Sequence, residues 1–390
     1  MEWNWNHVLC PILISLVSLL WRLWRKKSNC NSAYKLPPGP RGWPMIGNIF
    51  DLGTLPHRSL AALKEKHGPL VWLSIGSVNV IVVQSAVAAE ELFRNHDLSL
   101  FDRTIIDTMR SHDVYKSAMS LSSYNIYWRT LRRICTIELF TTKRINETML
   151  LRQNCIDDML LWIEMEVKNC ENTAITVTHF VFPALFNMIG NLMLSRNLVD
   201  PHMEIASEFY TALSGFAECL GRPNISDLFP SVRWLDLQGL RKSMDCHLGK
   251  MIEIMSGFVE ERVRHRQQNG KEAPEETRKD FLDVLLDFEG TGKDEIDKLS
   301  HHQITIFLQE LFFAGSETIS TTVEWAMCEL LQNSKGVVEI KAELGRVVGA
   351  NKKLKETDID NLHYLRATAR YFIISIGNFV KISTVKPEWT

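Results

Sequence analysis

Neither sign of charge is in surplus: 44 lysines and arginines stand against 46 aspartates and glutamates, a formal net charge of −2 over 390 residues. The basic excess that marks a nucleic-acid binder is therefore missing, and no nucleic-acid partner is expected. Paired cysteines are missing too. The eight cysteines, at positions 10, 30, 135, 155, 170, 219, 246 and 328, include no Cys-x-x-Cys pair. That argues against a zinc site or a disulfide framework, and no residue is assigned as a metal ligand. Each cysteine reads instead as a small buried hydrophobe. There is no internal repeat. What the chain does have is apolar material, 45% of its residues, enough for one large globular unit or two.

Val8 to Leu20 is apolar apart from Ser15 and Ser18, and Trp21-Arg22-Leu23-Trp24 extends it. A membrane span needs about 20 residues, so this run sits at the short end. Arg22, Arg25, Lys26 and Lys27 follow it, and only Glu2 is charged before it. A cleaved signal peptide would put positive charge ahead of the run and small residues at a cleavage site; neither is present. Residues 1–27 are therefore expected to form an uncleaved single-pass anchor, with the body on the cytosolic side. Leu36-Pro37-Pro38-Gly39-Pro40-Arg41-Gly42-Trp43-Pro44 comes next, inside a basic, proline-rich hinge over residues 28–48. Proline fixes φ and bars helix, so a stiff extended spacer is predicted. A generic linker explains the prolines but not Gly47-Asn48.

Leu70 to Ile75 and Val78 to Val83 read as a β-hairpin around a Gly-first turn, Gly76-Ser77. Ala86 to Asn95 reads as a short helix, and Asp102 to Ser123 has no clear period. Trp128 and Arg132 stand one turn apart on a predicted helix, and an indole N–H and a guanidinium both suit a carboxylate. A surface aromatic–cation pair is the alternative. Residues from about 150 to 260 read as successive helices, and the charged stretch from Arg262 to Asp280 as a solvated loop.

The longest periodic stretch is Ser300 to Gln332. Ile304, Phe307, Leu308, Leu311, Phe312, Ala314, Ile319, Val323, Ala326, Met327, Leu330 and Leu331 recur at helical spacing behind a Ser300 N-cap. Unbroken, Ile304 to Leu331 would run roughly 42 Å. Its middle is weak: Gly315 costs about 1 kcal/mol against alanine, and the hydroxyl run after it competes for backbone hydrogen bonds. A helix with such a centre either packs a small-residue contact there or touches something functional.

Ala314-Gly315-Ser316-Glu317-Thr318 resembles the oxygen-binding helix of the cytochrome P450 family, the haem-thiolate monooxygenases. Placed ahead of it, Trp128 and Arg132 match the family's Trp-x-x-x-Arg, and Leu36 to Asn48 resembles its hinge. The resemblance covers residues 1 to about 365 and looks closest to plant microsomal monoterpenol and alkaloid-precursor hydroxylases. It implies a mainly α fold with a small N-terminal β-sheet, a haem cofactor, an NADPH-dependent reductase partner, a small hydrophobic substrate and an endoplasmic-reticulum membrane location. It also implies roles. Trp128 and Arg132 would hold a haem propionate, Ala314 and Gly315 would let the helix approach the flat cofactor, Thr318 would hydrogen-bond dioxygen, and Glu317 would relay protons. Asp102 to Ser123 would lie over substrate, and Glu204 to Asn224 would form a mobile lid.

The resemblance then stops. The family's Glu-x-x-Arg would be expected near Tyr371 and Ile374; the chain has four other matches, Glu91/Arg94, Glu261/Arg264, Glu275/Arg278 and Glu343/Arg346. No Phe-x-x-Gly-x-Arg-x-Cys-x-Gly stretch, the source of the family's thiolate ligand, occurs in the 390 residues. The expectation is a truncated product: a partial domain over 49–365, an unrelated tail over 366–390, and no catalysis. Two readings compete, a membrane-anchored monooxygenase and a non-catalytic membrane-bound remnant or binding protein.

Overall fold

The computed structural model describes Ser15 and residues 36–169, 174–199, 204–269, 279–290, 292, 295–349 and 352–379. The predicted anchor therefore lies outside the described residues apart from Ser15. No helix among the described residues is long and apolar enough to cross a membrane. The chain divides into two compact units, one reaching to Leu100 and including Asn224–Gln238, the other made of Phe101–Pro223 and Gly239 onward.

The first unit is built on the hairpin. Strands β1 (Leu70–Ile75) and β2 (Val78–Val83) pair antiparallel with Ile75 opposite Val78, as the alternation and the Gly76-Ser77 turn predict. Gly76 has φ +58°, and a Cβ there would come within 2.6 Å of the Leu228 carbonyl oxygen. Helices α1 (Pro56–His67) and α2 (Ala86–Asn95) flank the pair in sequence, the second capped by Ser85. The hinge is not a free spacer here. Trp72 N–H donates to Pro38 O at 3.0 Å, and Trp43 and Gly47 exchange backbone bonds of 2.8 Å. Buried Asn48 accepts from Ser74 N–H at 3.0 Å and donates to Asp51 at 2.8 Å. Gly47, at φ +67°, passes so close to Ser74 that no side chain fits. The Gly-Asn pair is thus the lock that fastens the proline segment to the hairpin.

The second unit is helical. In chain order it holds α3 (Ile126–Glu138), α4 (Thr142–Glu147), α5 (Met149–Asn169), α6 (Thr178–Leu194), α7 (Glu204–Gly221), α9 (Leu240–Asn269), α10 (Phe281–Asp287), α11 (His301–Gln332), α12 (Ser334–Val347) and α13 (His363–Phe379), with the short α8 (Ile225–Leu228) belonging to the first unit. Helix α11 starts at a full capping box: Ser300 Oγ accepts from Gln303 N–H, and the Gln303 side chain accepts from Ser300 N–H. It runs unbroken through Gly315. Its first half is core, with Ile304, Phe307, Leu308 and Phe312 buried. Phe312 packs on Phe186 of α6 with ring centroids 5.0 Å apart, and Phe307 on Phe281 of α10 at 6.1 Å. Each such side chain contributes about 1.5–3 kcal/mol by leaving water.

Three sequence expectations change. The charged stretch from Arg262 is helical to Asn269, residues 270–278 lie outside the described residues, and Arg262 and Arg266 are paired rather than merely solvated. Arg262 bridges Asp280 and Asp283, and Arg266 bridges Asp283 and Asp287, because α10 presents its acids along that face. Asp102 to Ser123 is not featureless: Asp107–Lys116 is 3-10 helix, kinked by left-handed backbone at His112 and Asp113. Of the cysteines, Cys135, Cys155 and Cys219 are buried thiols as expected, but Cys246 and Cys328 are exposed, on faces of α9 and α11 turned from the core. Arg366 onward continues the helix begun at His363, as far as Phe379.

Candidate active site

Helix α3 carries the first pair of site residues. Asn125 caps it, its side chain accepting from Trp128 N–H at 2.9 Å. Half-buried Trp128 is set by two other rings, Phe101 at 4.8 Å and Tyr124 at 5.6 Å, both tilted or edge-on. Three arginines follow, and only one is at liberty for an anion. Arg129 lies over the Tyr124 ring at 6.0 Å, and Arg133 pairs with Glu295. Arg132 is exposed, and its guanidinium has no carboxylate partner among the described residues. The Trp128 indole N–H likewise has no acceptor among them. These two donors, one turn apart, suit a carboxylate brought in from outside.

Helix α11 carries the other four. Ala314 and Thr318 are exposed on one stripe, and the Thr318 hydroxyl donates to Ala314 O at 2.6 Å. Ser316 and Thr322 make the same bond one turn back, to Phe312 O and Thr318 O, so three of the hydroxyls bond within an unbroken helix, whereas the buried Ser320 hydroxyl has no partner among the described residues. Gly315 faces α6: a Cβ there would come within 2.8 Å of Ile189 Cδ1. The close approach that this glycine permits is thus to a neighbouring helix. Half-buried Glu317 has its carboxyl raised above the ordinary 4.5 by burial. Glu324, two turns on, is raised by burial and then by the charge of Glu317.

Ala314 and Gly315 line a cavity of about 720 Å³ with Leu139, Phe140, Ile189 and Met193, and Trp128, Arg132, Glu317 and Thr318 are not in its walls. No hydrogen bond, ion pair or ring contact among the described residues joins the α3 pair to the α11 four.

None of the three described Glu-x-x-Arg spacings closes a salt bridge within itself. Glu91 meets His96, Arg94 meets Glu90, and Glu261 meets Arg196. Glu343 spends its carboxylate on the Tyr364 and Leu365 backbone N–H groups, at 2.7 and 2.9 Å, capping α13. Those bonds hold it below the ordinary carboxylate value. Glu275/Arg278 lies outside the described residues.

The family model for cytochrome P450 matches residues 37–370. The chain belongs to the cytochrome P450 family. The match begins within the proline hinge and runs five residues past the point, Leu365, where the motifs alone stop. Similar proteins include Cytochrome P450 76A2 of Solanum melongena, 46% identical over 371 residues, covering 95% of this chain and 72% of that one. Iridoid oxidase of Catharanthus roseus is 41% identical over 363 residues, covering 92% and 70%. Geraniol 8-hydroxylase of Swertia mussotii is 34% identical over 335 residues, covering 86% and 66%. A zebrafish cytochrome P450 solved with progesterone shares the fold, with a TM-score of 0.64 at 21% identity over 82% of this chain and 70% of that one.

As a P450, the chain belongs to a family of monooxygenases that act on hydrophobic substrates with haem and a reductase partner. The free donors on α3 and the exposed small-residue stripe on α11 are chemically compatible with haem, a flat group that carries carboxylates. Two of the five described cysteines are held as thiols by burial. Burial pushes the Cys135 thiol up to about 12 and raises that of Cys155, so both stay protonated. Cys328 sits ten residues beyond Thr318 on the same helix, about 15 Å along it.

Proposed function

We propose that residues 37–370 form the oxygen-side and propionate-side part of a haem monooxygenase for small hydrophobic substrates of terpenoid type, and that the 390-residue chain alone supplies no axial thiolate and does not turn over. The observation that carries the first clause is that Trp128 and Arg132 leave free donors on one helix while Ala314 and Thr318 are exposed on another. Names of relatives such as iridoid oxidase and geraniol 8-hydroxylase support the substrate class. The chemistry of the described cysteines supports the second clause.

Within this reading, haem when bound supplies the activation of dioxygen and the insertion of one oxygen atom. The chain's own residues do the rest. Trp128 and Arg132 would donate to a propionate and so hold the cofactor. Ala314, small and exposed, leaves room for the flat face. Thr318, whose hydroxyl donates to Ala314 O, would donate a hydrogen bond on the oxygen side, and Glu317, protonated more readily than an ordinary carboxyl, would supply protons there.

The direct test joins residues 1–365 to the thiolate-bearing segment of the Solanum melongena relative. The chimera should bind haem and oxidise a terpenoid alcohol, and Thr318→Ala should uncouple NADPH consumption from product while Thr321→Ala does much less. A well-expressed chimera that binds no haem contradicts the reading.

We place the chain at the endoplasmic-reticulum membrane through residues 1–27, its body in the cytosol, on the strength of the basic cluster after the apolar run. Asn146-Glu147-Thr148 and Asn224-Ile225-Ser226 match the glycosylation acceptor pattern. Asn224 is a poor reporter, being buried and engaged with Ser226 N–H at 2.9 Å. Asn146 is exposed and should stay unmodified in microsomes. A glycosidase-sensitive mass shift that disappears in Asn146→Gln contradicts the orientation.

A further inference from the structure

One carboxylate outside both motifs ties their elements together. Glu310 lies one turn before Ala314 and two before Thr318, on the same stripe of α11. Its two oxygens accept from consecutive backbone amides far away in sequence, Met119 N–H at 2.7 Å and Ser120 N–H at 2.6 Å. Those amides have no acceptor of their own locally. The amides of Ser117, Ala118, Leu121 and Ser122 bond within the turn, to the carbonyls of Val114 and Ala118, which leaves the pair at 119 and 120 facing α11. Bonds from N–H to a carboxylate are roughly twice as strong as neutral ones.

The other end of the segment is held from α3. Tyr127 Oη donates to Ser117 O at 2.7 Å, and Tyr127 immediately precedes Trp128. Burial first, then the charge of Glu310, keeps this phenol protonated well above its ordinary range, so it remains a donor. Cys135, further along α3, feels the same charge, opposed by that of Arg132. Glu310, the 117–122 segment and α3 therefore share one electrostatic neighbourhood. A role for Glu310 as a proton carrier sits badly with this geometry, because both its oxygens are occupied.

We propose that Glu310 is a positioning residue: its carboxylate pins the 117–122 segment to α11 and, through Tyr127, sets α3 with Trp128 and Arg132 beside the Ala314–Thr318 stripe. The purpose of the clasp rests on the haem reading above; its geometry does not.

Amide hydrogen exchange on the full chain in detergent micelles tests it without haem. Glu310→Ala should speed exchange at Met119 and Ser120 roughly 10- to 100-fold, the size expected for losing a hydrogen bond to a charged acceptor. A smaller increase should reach the first turn of α3, while the cores of α6 and α9 stay protected. Glu310→Gln keeps one acceptor oxygen and should restore protection at one of the two amides. If Glu310→Ala does not fold, Tyr127→Phe removes only the Ser117 bond and should loosen 117–118 and the start of α3. Unchanged exchange at 119–120 in Glu310→Ala or Glu310→Gln, or at 117–118 in Tyr127→Phe, overturns the clasp, as does a Gln variant no better than Ala. A chain that shows the clasp yet, in the chimera, binds no haem counts against the functional reading alone.

Discussion

The two halves of α11 carry the same apolar spacing and meet different fates. Ile304, Phe307, Leu308 and Phe312 are at most 1% exposed, whereas Ile319 is 48% and Leu331 75% exposed. The first half finds aromatic partners on α6 and α10. The second begins with hydroxyls bonded back on their own helix and then shows apolar side chains to the surface. Helical period says which residues share a face; what covers that face depends on elements distant in sequence. The polar middle, with Ala314 and Thr318 exposed, sits where the helix leaves its core.

Breaking the first half should have the largest effect. Phe312→Ala empties a fully buried ring site against Phe186 and should lower stability by about 3–5 kcal/mol in denaturant titration. Next comes Glu343→Ala, which uncaps α13 and should lower the melting temperature while exchange at Tyr364 and Leu365 rises. The Glu343 carboxyl is held below its ordinary 4.5, so its contribution is present above that value and is lost as pH falls through the lowered folded value. Acid should therefore release α13 in the wild type and change little there in Glu343→Ala.

Glu317 has the opposite sign. Its raised value means that folding favours the protonated form, a contribution full below about 4.5 and lost as pH rises through the raised folded value. Glu317→Gln, neutral throughout, should match the wild type in acid and melt slightly higher at neutral pH. The smallest effect belongs to the second half of α11: Leu331→Ala should stay within about 0.5 kcal/mol of wild type. A Leu331→Ala cost approaching that of Phe312→Ala would erase the contrast between the halves.

Local signals were legible in the sequence. The Gly76-Ser77 turn, the Ser300 cap and the bounds of α2 follow from rules acting over a few residues. Trp128, Arg132 and the Ala314–Thr318 pentapeptide were found because their spacing repeats a family pattern. Long-range polar contacts were not legible. Glu310 meets Met119 and Ser120 across about 190 residues, and nothing in a row of apolar helix residues marks that glutamate as different. The pairing of Arg262 and Arg266 with the acids of α10 was hidden for the same reason, since a charged stretch looks solvated until its partners fold beside it. The left-handed pair His112–Asp113 carries no glycine to announce it.

The ferrous, carbon-monoxide-bound absorption spectrum of the full 390-residue chain, purified and supplied with haem, bears most directly on the claim that this chain offers haem its oxygen side and not its thiolate. The account predicts no thiolate-type Soret band. A thiolate-type band, lost on mutation of one of the eight cysteines, would contradict it.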